Sequence, residues 1–108
     1  MNPPDGLTVF QTRVRSMLNT VLPDLGIEAE FEYVKRTGEV PGAARPGEHY
    51  VRAAGQVRGH LIEVFVYSDE IGFFCDRSWR IFESQDFRDE STLLETALRE
   101  LKACISDL

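Results

Sequence analysis

The stretch HLIEVFVYSDEIGFFCDRSWRIFE, residues 60–83, decides the fold of this chain. It holds three short runs rich in β-branched and aromatic residues, a composition typical of strands. The breaks between the runs, at 68–70 and 77–78, are very short. A parallel crossover needs about a dozen residues or more, so these strands must pair antiparallel. The stretch therefore predicts three consecutive strands of a meander.

The meander extends toward the N-terminus. HYVRAAGQV, residues 49–57, reads as another strand, and Arg58-Gly59 fits a two-residue hairpin turn before residue 60. Further upstream, glutamates alternate with residues that we expect on one buried face: Ile27, Ala29, Phe31 and Tyr33. The intervening segment 37–48 is rich in proline and glycine and has no periodicity, which predicts a long loop.

Apolar residues at helical spacing precede and follow the strands. The first helix is predicted over 8–22, with Thr8 and Gln11 as a capping box. The second lies within 91–108, with a capping box at Thr92 and Glu95. The order α-β-β-β-β-(β)-α predicts a single α+β domain over 1–108. Its antiparallel four- or five-stranded meander is flanked by an N-terminal and a C-terminal helix packed on the sheet.

Alternation within 60–83 gives the sheet two apolar faces. We expect two-residue turns at Asp69-Glu70 and at Arg77-Ser78, and the face assignment follows from that register. The first face carries Ile62, Val64, Val66, Phe73, Cys75 and Phe82. The second carries Leu61, Phe65, Tyr67, Phe74, Trp79 and Ile81, with Glu63 among them. Either a helix or the long loop covers this second face, or it is an exposed apolar patch of the kind that marks an interaction site.

The second face provides the candidate partner-binding residues. Aromatic anchors with an acidic rim have the composition of a binding hot spot. The predicted anchors are Phe65, Tyr67, Phe74 and Trp79. The predicted rim consists of Asp69, Glu70, Asp86, Asp89 and Glu90.

Charge restricts the class of partner. The net charge is -6 and the pI is about 4.8, so neither nucleic acid nor a membrane is expected as a ligand. A basic protein fits this charge better. No apolar run reaches the roughly 18 residues of a membrane span, and MNPPDGLTVF does not resemble a signal peptide. We therefore expect a cytoplasmic protein in which Cys75 and Cys104 are reduced, buried thiols.

No pattern of catalytic or metal-binding residues is evident. His49 and His60 are the two histidines, and neither has a cysteine or carboxylate at ligand spacing. ESQDFRDE, residues 83–90, lacks the spacing of a calcium loop. There is no glycine-rich phosphate loop and no nucleophile elbow. The sequence predicts a non-enzymatic protein with no catalytic residue, no metal and no cofactor.

The plan of helix, antiparallel meander and helix, with VYSDEIGFF and FESQDF as its most suggestive parts, resembles small bacterial immunity proteins of polymorphic-toxin systems. That resemblance implies an inhibitor that binds and occludes a cognate basic toxin domain. One alternative is a dimeric adapter or type III secretion-type chaperone, with a homodimer formed through the sheet face. The other is a small enzyme or ligand-binding domain.

Overall fold

The computed structural model describes residues 7–35 and 49–108 and has the predicted α+β architecture. The predicted loop at 37–48 lies outside the described residues. A short 3-10 turn, Ser84–Asp86, separates the last strand from the second helix. The helices and strands are α1 Val9–Asp24, β1 Glu30–Lys35, β2 His49–Val57, β3 His60–Val66, β4 Glu70–Cys75, β5 Ser78–Glu83 and α2 Glu90–Ser106.

The five strands form one antiparallel sheet in the order β1-β2-β3-β4-β5, so each strand pairs with its neighbour in sequence. The predicted turn at Arg58-Gly59 is confirmed, because Val57 pairs with His60. Both turn residues have positive φ, 51° and 82°. This is the type I′ geometry that matches the twist of a two-residue hairpin.

The register of the last two hairpins differs from the prediction by two residues. The β3–β4 turn is Ser68-Asp69, since the N–H of Tyr67 donates to the carbonyl of Glu70 at 2.9 Å. Val66 is therefore opposite Ile71 rather than Phe73. The β4–β5 turn is likewise 76–77, and Phe82 pairs with Ile71. A shift of two residues leaves every side chain on its predicted face, because side chains alternate with period two.

Both helices pack on one face of the sheet. α1 contacts β2 and β3, whereas α2 contacts β4 and β5. The six residues assigned to the first face are all buried there. They form one core with residues of both helices, including Phe10, Val14, Leu18, Leu22, Leu93, Leu94, Ala97, Leu101 and Ile105.

The outermost strand β1 is covered less well than its sequence predicts. Ile27, just before it, is buried, but Phe31 is half-buried and Tyr33 is 36% exposed. The Arg15 guanidinium lies 4.9 Å from the centre of the Phe31 ring. α1 sits over β2 and β3 rather than over β1, and Arg15 reaches outward from the helix to the β1 face.

Gln11 fastens α1 to the sheet. The predicted capping box is present, with Gln11 Oε1 accepting from the Thr8 N–H at 2.8 Å and the Gln11 N–H donating to Thr8 Oγ1 at 3.1 Å. The fully buried Nε2 donates to the carbonyls of His49 at 2.7 Å and Val66 at 3.2 Å. One side chain thus closes the first turn of the helix and binds the backbones of β2 and β3.

α2 begins earlier than predicted. Its N-cap is Asp89, whose Oδ1 accepts from the N–H of Thr92 at 2.8 Å. The capping box expected at Thr92 and Glu95 is therefore wrong, because Thr92 already lies inside the first turn. Leu93 follows in the first turn and lies in the core with no exposed surface.

The two cysteines form a disulfide, and the expectation of free thiols is wrong. Cys75 is buried on the helix side of β4, and Cys104 lies on α2, which packs over that strand. Their Cα atoms are 6.5 Å apart, within the range that a disulfide spans. The bond links the sheet covalently to the C-terminal helix.

Truncation of a core ring tests the face assignment. Phe73 is 2% exposed and stacks near Phe82, with ring centroids 6.0 Å apart. We expect Phe73→Ala to lower the free energy of unfolding by about 3–5 kcal/mol, the usual cost of removing a buried phenylalanine ring. Urea unfolding followed by circular dichroism measures this loss. A loss below about 1 kcal/mol would contradict the assignment.

Reduction of the disulfide should destabilise the fold. The bond closes a loop of 29 residues, for which chain entropy gives a stabilisation of roughly 3–4 kcal/mol. Urea melts with and without a reductant measure the difference. Thiol titration in denaturant should detect two groups only after reduction. Free thiols in the purified, unreduced chain would contradict the bond.

Candidate functional site

The candidate site is the face of the sheet opposite the helices, called here the open face. Alternation places on it every second residue of the five strands. No described helix packs against this side, since α1 and α2 both lie on the other. The residues of the open face are Glu30, Glu32, Val34, Tyr50, Arg52, Ala54, Gln56, Leu61, Glu63, Phe65, Tyr67, Glu70, Gly72, Phe74, Trp79, Ile81 and Glu83.

Aromatic side chains form a connected group on the open face. This aromatic cluster consists of Tyr50, Phe65, Tyr67, Phe74 and Trp79. Tyr50 lies 5.1 Å from Tyr67 and 6.2 Å from Phe65, measured between ring centroids. Trp79 lies 5.2 Å from Phe65 and 5.3 Å from Phe74. These separations are those of interacting aromatic pairs. The cluster therefore runs continuously from β2 to β5.

Gly72 allows the two halves of the cluster to meet. Phe65 on β3 and Trp79 on β5 lie on either side of β4, and Gly72 on β4 pairs with Phe65. Because residue 72 has no side chain, the two rings can approach each other over the middle strand. A Cβ at this position would lie 3.5 Å from the Arg80 carbonyl oxygen and 3.7 Å from Ile81 Cγ1, ordinary contact distances. The backbone at position 72 could thus accept a side chain, and the effect of the glycine is to leave space between the two rings.

Large apolar side chains on the open face are accessible. Ile81 is 61% exposed, Trp79 56% and Leu61 42%, while the other four rings of the cluster are half-buried by their neighbours. Core residues of the opposite face are almost wholly buried. Uncovered aromatic and aliphatic groups in one patch are uncommon on a monomeric surface and typical of binding sites.

The charge of the open face is strongly acidic. Five glutamates and one arginine lie on it among the described residues. Arg52 pairs with Glu63 at 2.7 Å and with Glu32 at 3.5 Å, so its positive charge is already compensated within the sheet. Glu70 and Glu83 are directly opposite each other on β4 and β5, next to the aromatic cluster.

The structure brings six of the nine predicted partner-binding residues together. Phe65, Tyr67, Phe74 and Trp79 are members of the aromatic cluster. Glu70 lies on the open face, and Asp69 lies in the turn that precedes it.

The remaining three predicted residues lie elsewhere. Asp86 is exposed in the turn after β5. Asp89 is the N-cap of α2, and Glu90 forms an ion pair with Arg13 of α1 at 3.0 Å, on the helix side of the sheet. Asp89 and Glu90 thus lie away from the open face, because the start of α2 uses both carboxylates. Their part in partner binding stays a prediction.

Sequence reasoning left Tyr50, Glu83 and Ile81 out of the site residues. Tyr50 lies on β2, where alternation with the buried Val51 and Ala53 indicated its face. The alternation did not indicate that strand pairing would place Tyr50 against Tyr67. Glu83 joins the acidic rim because β5 continues as far as that residue.

A second concavity, between α1 and α2, offers little chemistry. It has a volume of about 200 Å³ and a largely apolar lining that includes Phe10, Val14 and Leu94. Its charged groups include Arg13 and Glu90, which already pair with each other. Across residues 7–35 and 49–108 there is no group of three histidine, cysteine or acidic side chains placed to hold a metal.

The pH dependence of stability tests the role of Asp89. Hydrogen bonds from the Thr92 N–H and hydroxyl hold the pKa of the Asp89 carboxyl below its usual value. A lowered folded-state pKa stabilises the fold above the unfolded-state pKa of about 3.9, and this contribution is lost as pH falls through the folded-state value. We expect Asp89→Asn to keep the cap but to reduce the destabilisation seen on acidification.

Urea melts at about pH 3 and pH 7 measure that change. Asp86→Asn, which removes an exposed carboxylate from the same segment, is the matched control. An acid dependence in Asp89→Asn that equals the wild type would contradict the role.

Comparison of the chain with protein-family models, with curated proteins and with solved structures finds no match. Neither described helix is both long and apolar enough to cross a membrane. The open face, with its aromatic cluster and glutamates, is therefore the feature from which a function is inferred.

Proposed function

We propose that this chain is a non-enzymatic, acidic protein-binding module whose open face binds a basic protein. The observation that carries the proposal is the aromatic cluster, which lies uncovered by either helix and is surrounded by glutamates. The solvent-exposed face of an antiparallel sheet normally carries polar residues, whereas this one carries Trp79, Ile81 and Leu61. A partner that covers these side chains would remove them from water.

The cluster is suited to supply affinity. Tryptophan and tyrosine are enriched among the residues that dominate binding energies. Contacts within the cluster restrain the rings before binding, which reduces the entropy lost when a partner orders them. Trp79 combines the highest exposure in the cluster with two ring neighbours, so we assign it the role of central anchor.

The glutamates favour a basic partner. With Arg52 already paired to two of them, the open face presents net negative charge around its apolar centre. Such a field attracts a cationic surface and accelerates encounter. Nucleic acid and anionic lipid would be repelled by the same field.

The more specific proposal is that the chain is an immunity protein and that the basic partner is a cognate toxin domain. The arrangement of helix, meander and helix supports it, as does a surface that could occlude a cationic active site. The proposed cytoplasmic location agreed with reduced cysteines, but Cys75 and Cys104 are bonded to each other, so the cysteines no longer favour it. A Cys75–Cys104 disulfide is more typical of an oxidising compartment, which would then be where the toxin is neutralised.

Affinity capture from the native host, followed by purification of the captured protein, tests the proposal. Tyr33→Ala is the matched control for Trp79→Ala, because Tyr33 is an exposed aromatic on the other face of the sheet. A basic protein that is retained by the wild type and by Tyr33→Ala but lost by Trp79→Ala supports the proposal. Equal capture by all three variants, or capture of nucleic acid instead, contradicts it.

Removal of the central anchor should weaken binding without loss of the fold. We expect Trp79→Ala to cost about 2 kcal/mol or more of binding free energy, chiefly through faster dissociation, because a desolvated anchor is lost. Surface-plasmon kinetics with the captured partner measures the rates, and urea melts monitor the fold. If Trp79→Ala unfolds the chain and binding merely follows the folded fraction, the ring is structural.

Reversal of rim charge should act on association instead. Glu70→Lys combined with Glu83→Lys replaces two negative charges beside the cluster with positive ones. We expect slower association with a basic partner at low salt, and a smaller defect as the Debye length shortens to about 8 Å near physiological ionic strength. The same kinetics at two salt concentrations provides the measurement. A defect confined to dissociation and independent of salt would exclude electrostatic steering by these residues.

A further inference from the structure

The outer edge of β5 is a second surface of interest, because it is the last strand of the described sheet. The sheet order places β5 at one end, with β4 on its inner side. In the part of the chain that the structure describes, no strand pairs with its outer side. Edge strands are usually protected by proline, a bulge or covering segments. β5 has no proline, and its pairing with β4 runs without a bulge from Glu83 to Ser78.

The backbone groups of alternate β5 residues point outward. Cys75 pairs with Ser78 across a two-residue turn, and the N–H of Ser84 donates to the Asp69 carbonyl at 2.8 Å. Hydrogen bonds between antiparallel strands alternate, so residues 78, 80, 82 and 84 bond to β4. The N–H and C=O groups of Trp79, Ile81 and Glu83 therefore face away from the sheet.

The sequence of β5 is complementary to itself in antiparallel orientation. Taking Arg80 as the centre, Trp79 and Ile81 are one residue to either side, and Arg77 and Glu83 are three residues to either side. An antiparallel copy centred on the same residue would place Trp79 opposite Ile81. It would also bring Arg77, in the turn just before the strand, near Glu83 at the far end of the other copy's strand. The first pair is apolar and stabilises neighbouring strands. The second places opposite charges close together at each end of the interface.

We propose that two copies of this chain associate through their β5 edges, antiparallel and with Arg80 on the two-fold axis. Trp79 and Ile81, whose backbone groups point outward, then form the hydrogen-bonded pairs of the new ladder. The two Arg80 side chains meet on the helix side, where each is 3.7 Å from Glu100 of its own α2, which offsets their repulsion. A register centred on a residue keeps both open faces on one side, so the two aromatic clusters join.

The proposal does not depend on the toxin partner. The interface is a single strand pair, so we expect a dissociation constant in the micromolar range. Sedimentation equilibrium of the purified wild-type chain at concentrations up to about 100 µM should detect the dimer. A wild-type chain that stays monomeric throughout this range overturns the proposal.

Proline at the outer edge separates backbone pairing from side-chain contact. Ile81→Pro removes an N–H that points away from β4, so the fold should be retained while the dimer is lost. Ile81→Thr is the matched control, because it retains the N–H and should keep most of the dimer. Circular dichroism confirms folding of both variants. A folded Ile81→Pro chain that dimerises like the wild type overturns the proposal.

Charge reversal tests the register and does not rely on proline. Arg77→Glu places like charges near each other at both ends of the interface and should weaken the dimer by at least about tenfold. The double variant Arg77→Glu, Glu83→Arg should recover most of that loss. A dimer that Arg77→Glu leaves unchanged, or a loss that the double variant fails to recover, rejects this register and with it the proposed β5 interface.

Discussion

Both helices pack on one face of a five-stranded sheet, and the rest of the molecule depends on this one-sided arrangement. The buried face needs a full apolar core, and β2 to β5 supply it together with α1 and α2. In a strand, the residues between core positions necessarily point the other way. Where those residues are also apolar, as at Leu61, Trp79 and Ile81, neither described helix covers them. The composition of the strands therefore sets both the stability of the chain and the character of its exposed surface.

Alternation was sufficient to predict the two faces even where the turns were misplaced. The β3–β4 and β4–β5 hairpins are each offset by two residues from the expected register, yet Phe73 remained in the core and Trp79 on the open face. An error of one residue would have exchanged the faces. Turn boundaries were harder to predict because Asp69 and Arg77 occur next to several polar residues that suit either position.

The parts that could not be predicted depend on contacts between segments distant in sequence. Cys75 and Cys104 are 29 residues apart, and only the position of α2 over β4 brings them together. Asp89 appeared to be part of an acidic surface because its role as N-cap depends on where the helix begins. Tyr50 joined the aromatic cluster through strand pairing with the next hairpin strand. Local pattern determines which way a side chain faces, whereas its neighbours are determined by the whole fold.

The three hydrogen bonds made by the side-chain amide of Gln11 also determine when α1 can dock on the sheet during synthesis. The bond partners on the sheet are the carbonyls of residues 49 and 66, separated from Gln11 by 38 and 55 positions. α1 leaves the ribosome before β2 and β3, so the amide N–H donors of Gln11 cannot reach their sheet carbonyls until the β2–β3 hairpin has emerged. Chains grow at about 5–20 residues per second, so the N-terminal segment waits for seconds before it can dock. α1 is thus made before the strands that it binds and cannot acquire its native environment until they follow.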